Sequence, residues 1–142
     1  MNIGIILPHL VPSQLTFEVE KVIRENSEQY NFTVFYENLF AIYKYPSCPV
    51  MNISELKYFR KGIVVSFDIS AANKTLKSVN AIEPVLYLYD LEWLRGKNDY
   101  VNNVSLLRKI KLITRSEEYK TLVENYTNSN CEVKTLKEVL CP

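Results

Sequence analysis

Six short apolar runs recur along the chain, and between them lie stretches with helical spacing. That rhythm constrains the fold more than any other feature. The first run, NIGIIL at residues 2–7, is continuous rather than alternating, as expected of a strand buried on both faces in a parallel sheet. The second, NFTVFY at 31–36, is rich in aromatic and β-branched residues. The others fall at 63–67, 85–89, 111–114 and 131–134. Strands repeating at intervals of about 20–30 residues with helices between them indicate βαβ units, right-handed crossovers and a mainly parallel sheet.

The connecting segments carry helix signals. Pro8 and Pro12 break the chain after the first run, and Ser13 or Thr16 can cap a helix over 14–26, where Phe17, Val19, Val22 and Ile23 alternate with charged residues. Ser54 can cap a short helix at 55–60, with Gly62 closing it in a positive-φ conformation. Further helices are expected at 70–79, 100–108, after Ser116, and at 136–140. PVM at 49–51 reads as a short run following a loop that holds Tyr43, Tyr45, Pro46 and Pro49. The expectation is one α/β domain over residues 1–142, with three layers and about six strands. The 142 residues suffice for such a core without disulfides or metals.

Composition removes several classes of function. Seventeen basic and sixteen acidic side chains give a net charge of +1, so there is no strong nucleic-acid signal. Three glycines are too few and too scattered for a GxxxxGK[ST] or GxGxxG phosphate loop. The three cysteines, Cys48, Cys131 and Cys141, show no CxxC spacing and are expected to be reduced. His9 is the only histidine and no His/Cys cluster surrounds it, so a zinc site is not expected; nor is a cofactor expected. No basic n-region precedes the opening strand, and the apolar runs fall far short of the roughly 18 residues that span a bilayer. A cytoplasmic protein without a membrane span is the expectation.

Ligands of open α/β sheets bind beyond the carboxyl ends of the strands, near the point where strand order reverses. Those ends present His9 and the loop to Gln14, then Ser66, Asp68 and Ser70, then Asp90, Glu92 and Trp93, and finally Thr114, Arg115 and Ser116. Each has an ordinary structural alternative. His9 can be a base, a ligand contact or a partly exposed structural histidine. Asp68 and Asp90 can bind ligand hydroxyls, move protons or cap the following helix. Trp93 can stack on a sugar face or fill a core. Arg115 can hold an anion at a helix N-terminus or pair with Glu117 or Glu118. The aromatic stretch from Phe32 to Tyr45 suits packing better than base stacking, because only Lys44 accompanies it. No G-x-S-x-G elbow is present to support a nucleophilic triad.

Four segments carry a resemblance: GIILPHLVPSQ from Gly4, GIVVSFDIS from Gly62, PVLYLYDLEWL from Pro84 and KLITRSEEY from Lys111. Together they resemble the N-terminal Rossmann-like domain of GT-B glycosyltransferases, including forms encoded by large tailed bacteriophages. The resemblance covers residues 1–140. It implies that the loops after the strands contact a sugar acceptor through positions His9 to Gln14, Asp68 and Asp90 to Trp93. Two departures stand out. PHLVP at 8–12 replaces the family's glycine-rich loop, and the family's second, donor-binding domain has no counterpart in this sequence. The resemblance therefore implies a glycosyltransferase-like half that needs a second polypeptide for transfer. Two alternatives stay open: a non-enzymatic, virion-associated or homo-oligomeric interaction module, and a small binder of nucleotides or sugar phosphates.

Overall fold

The computed structural model describes residues 1–38, 47–78, 82–90 and 100–142. Seven strands form one sheet: β1 (Asn2–His9), β2 (Asn31–Asn38), β3 (Val50–Asn52), β4 (Gly62–Ser66), β5 (Ile82–Leu88), β6 (Lys111–Thr114) and β7 (Cys131–Val133). Their spatial order is β3-β2-β1-β4-β5-β6-β7, and every pairing is parallel. The helices are α1 (Gln14–Asn26), α2 (Ile69–Leu76), α3 (Tyr100–Leu107), α4 (Glu117–Thr127) and α5 (Leu136–Leu140), with a 3₁₀ turn at Ile53–Tyr58. This is a three-layer, Rossmann-like α/β architecture. Strand order runs one way from β1 to β3 and the other way from β4 to β7, so the reversal lies between β1 and β4.

The continuous apolar run of β1 is explained by its place at that reversal, between β2 and β4. Ile3, Ile5 and Leu7 share a core with Val19, Val22 and Ile23 of α1 and with Leu136, Val139 and Leu140 of α5. Ile6 points the other way, into a cluster with Phe35, Val64, Leu56 of the 3₁₀ turn and Ala71 of α2. The same alternation governs β5. Val85 and Tyr87 join the first core, whereas Leu86 and Leu88 pack with Leu107 of α3 and Val123 of α4. Side chains alternate across a strand, so each central strand needs apolar residues at every position. Phe32 and Phe35 lie in these cores, which is the packing role expected for them.

Several local expectations are corrected. The sheet has seven strands, because Val50–Asn52 pairs with Val34–Tyr36 of β2. Three residues are too few for a legible pattern, and only the pairing partner makes them a strand. The segment expected as a helix at 55–60 is the 3₁₀ turn, capped by Asn52 Oδ1 accepting from the Ser54 amide at 2.9 Å rather than by Ser54. Gly62 does adopt positive φ, 142°, but as the first residue of β4; Phe59 ends the turn before it. Pro84 lies inside β5, opposite Val64. Pairing to β6 begins only at Val85, so on that side no partner waits for the N–H that proline lacks.

The cap of α1 is Ser13, with Thr16 completing a reciprocal pair: the Thr16 amide donates to Ser13 Oγ at 3.2 Å, and the Ser13 amide donates to Thr16 Oγ1 at 2.7 Å. This box fixes the direction in which the chain leaves β1 and enters α1. It therefore positions the residues that begin the site.

Candidate functional site

The carboxyl ends of β1, β4 and β5 enclose a cleft of about 550 Å³ at the strand-order reversal. Its walls come from Pro8 and His9 at the end of β1, Ser13 to Leu15 at the start of α1, Phe67 to Ser70 after β4, and Leu88 at the end of β5 with Tyr89 and Asp90 beyond it. Four of the residues expected from the sequence, His9, Gln14, Asp68 and Asp90, thus meet in one cavity. Glu92 and Trp93 lie outside the described residues. Arg115 is next to the cleft rather than in its wall: its Cζ sits 4.7 Å from the ring centroid of Tyr89 and 5.4 Å from that of Tyr119. Its Nη2 also donates to the Tyr119 hydroxyl at 3.4 Å. Arg115 therefore stacks on two rings beside the cleft, and the ion pair of Glu117 is made with Lys120 rather than with Arg115.

Asp68 is both cap and site residue. Its Oδ1 accepts from the Ala71 amide at 2.9 Å, fixing the start of α2. Its Oδ2 is buried with no hydrogen-bond partner among the described residues. Burial pushes the Asp68 carboxyl above its ordinary value; the Ala71 amide opposes this, and the Glu37 carboxylate adds to it. Glu37, at the end of β2, is joined to Lys74 of α2 by an ion pair of 2.9 Å. The Lys74 ammonium also acts on Asp68 in the lowering direction. One lysine thus compensates a pair of neighbouring acids.

On the other side of the cleft, Gln14 Nε2 donates to Glu18 Oε1 at 2.9 Å. Burial raises the Tyr89 hydroxyl above its ordinary value, and the Glu18 carboxylate adds to the rise. Beneath Tyr89, Tyr87 is edge-on to Phe67 with centroids 5.9 Å apart, and its hydroxyl donates to the Lys134 carbonyl at 3.1 Å. Burial moves Tyr87 up to about 12. The cleft floor is therefore a braced set of rings under a polar rim.

Two sites suggested by sequence turn inward. Ser66 is fully buried, its Oγ 3.2 Å from Thr75 Oγ1 of α2. Thr114 is also buried and donates from its hydroxyl to the Ser116 carbonyl at 3.2 Å, while Ser116 caps α4. Neither presents a group to ligand. In the other direction, Glu37, Glu18, Phe67 and Tyr89 were missed because each reads as part of a strand or helix pattern. The register offered one clue for Glu37: it adjoins Asn38, which pairs with His9.

No Lys or Arg lines the cleft among the described residues. Lysines gather instead around a separate groove of about 380 Å³ between the 3₁₀ turn and α2, where Lys57, Lys74 and Lys77 surround Ile53 and Leu56. Among the described residues no group of three or more His, Cys, Asp and Glu could hold a metal ion, and no helix is long and apolar enough to cross a membrane. Burial raises the thiols of Cys48, to about 11, and of Cys131, which keeps them protonated and poorly nucleophilic. Comparison with known protein families, with curated proteins and with solved structures gives no significant match to this chain.

Proposed function

We propose that the cleft binds a polyhydroxylated ligand and that the chain acts as the acceptor-side half of a glycosyltransferase-like assembly. The observation that carries this reading is the pairing of carboxylates with aromatic and apolar surface in one cavity at the strand-order reversal. Carboxylates accept hydrogen bonds from sugar hydroxyls, and rings such as Phe67 and Tyr89 match the apolar C–H faces of a sugar. His9 and Asp90, both exposed at the rim, are placed to meet the same ligand. The described walls offer no Lys or Arg for the diphosphate of a nucleotide sugar. A donor site, with the electrostatic clamp that transfer needs, would therefore come from a second polypeptide.

A second reading has one observation in its favour. The N-termini of α1 and α2 both open onto the cleft, and helix N-termini attract anions. A small nucleotide or sugar phosphate would use them.

Saturation-transfer NMR against methyl glycosides and against nucleoside diphosphates separates the two. The proposal expects transfer to the C–H protons of the glycosides, reduced in Asp90→Ala. Transfer only to the nucleotides would favour the second reading. For the assembly itself, sugar transfer is expected only when the chain is mixed with its co-purified partner; transfer by the isolated chain would refute the half-domain role.

A further inference from the structure

The lysine-rimmed groove lies on the sheet face opposite α1, where the 3₁₀ turn packs beside α2. Its volume of about 380 Å³ falls at the lower end of small-ligand pockets, which run from about 300 to 1,000 Å³. Ile53 and Leu56 give it apolar surface, and Lys57, Lys74 and Lys77 surround that surface. No acidic side chain lines it among the described residues, although the whole chain carries a net charge of only +1. Lys74 and Lys77 stand in the last turn and at the C-cap of α2, where the helix dipole favours cations. That accounts for two lysines on the helix but not for Lys57, which reaches the same groove from the 3₁₀ turn. Lys77 makes no ion pair with a described residue. Lys74 turns one of its three N–H donors to Glu37 Oε1 at 2.9 Å, which leaves two for another acceptor.

We propose that this groove binds a small anionic amphiphile, an aliphatic tail with a carboxylate or phosphate head. The tail would cover Ile53, Leu56 and the methylene stems of the lysines, and the head would lie among their ammonium groups. Charge-assisted hydrogen bonds hold the head, and burial of apolar surface holds the tail, so both parts of the ligand are required. The groove shares no wall residue with the cleft at the strand-order reversal, and its ligand is independent of the sugar reading.

The test is an amide chemical-shift titration of the whole protein with octanoate, octyl phosphate, octylamine and inorganic phosphate. Octanoate and octyl phosphate are expected to shift residues 53–57 and 74–78, and their relative affinities identify the preferred head. Octylamine has the same tail with the opposite charge, and inorganic phosphate has no tail. Each is expected to bind at least about tenfold more weakly than the better amphiphile. In Lys57→Gln/Lys77→Gln, which keeps the Lys74–Glu37 pair, that amphiphile should bind at least about fivefold more weakly. Equal binding of octylamine overturns the need for an anion, and equal binding of inorganic phosphate overturns the need for a tail; either refutes the proposal. Unchanged affinity in the double variant refutes it too, as do shifts centred on residues 9–15, 67–70 and 88–90, or no shift at millimolar amphiphile. None of these failures touches the sugar reading, which a methyl glycoside tests separately.

Discussion

The Lys74 ammonium lies 2.9 Å from Oε1 of Glu37 and ties α2 to the end of β2 across the strand-order reversal. Glu37 is largely buried, whereas Lys74 is about half exposed, with side-chain exposures of 16% and 47%. Solvent screening therefore limits what the pair contributes to stability. Its greater consequence is electrostatic: it holds down the charge that Glu37 projects onto Asp68. Lys74→Met is expected to cost about 1–3 kcal/mol, because it leaves the largely buried Glu37 carboxylate without its cation. The same change should move the Asp68 titration further up, as seen by carboxyl-carbon NMR. An unmoved Asp68 titration would show that Lys74 does not control the site.

Asp68 itself gives a pH signature. Its folded carboxyl is raised above the ordinary 3.8, so the folded state binds its proton more tightly than the unfolded chain does. The associated stability is present below the ordinary value and is lost as pH rises through the folded one. Asp68→Asn cannot ionise and still caps α2, so relative to the parent it should gain stability across that window and hold the gain at neutral pH. Glu132, lowered chiefly by the Lys134 side chain, runs the opposite way in both proteins, and the difference between their melting curves removes it. Asp68→Ala, which loses the cap, should cost about 1 kcal/mol. A pH-independent difference between parent and Asp68→Asn would contradict the buried-carboxylate account.

The junction that brings β4 beside β1 depends on Gly62. At φ 142° an added Cβ would lie 2.2 Å from the Asn2 carbonyl oxygen, a backbone atom that cannot swing aside. Gly62→Ala is expected to cost at least about 2 kcal/mol, visible as a clear drop in Tm. Lys61, also at positive φ, 123°, is the reverse case. Lys61→Gly should be neutral or stabilising by up to roughly 1 kcal/mol.

Tyr87 tests whether the ring floor is braced by its polar end. Removing the hydroxyl in Tyr87→Phe strands the Lys134 carbonyl, with an expected cost of about 1 kcal/mol in urea unfolding. A loss near zero would place the bracing in the apolar contacts with Phe67 alone.

How far the sequence revealed this arrangement depends on the source of each signal. β1 was legible because a strand buried on both faces must be apolar at consecutive positions. β3 was not, since Val50, Met51 and Asn52 become a strand only through Val34, Phe35 and Tyr36 opposite them. His9, Gln14, Asp68 and Asp90 followed from a topological rule about strand ends, and the fold brings them together. Arg115 obeyed the same rule yet was drawn to two aromatic rings, one of which, Tyr89, comes from a neighbouring chain segment. Glu37 and Glu18 act on the site through space from elements whose own patterns concern packing. Pairings of that kind are set by tertiary structure and leave no local mark.

The most direct test of the central claim is amide chemical-shift mapping of the chain with a methyl glycoside. The sugar reading predicts shifts concentrated at residues 9–15, 67–70 and 88–90. Shifts centred instead on Ile53, Lys57 and Lys77, or none at saturating sugar, would contradict it.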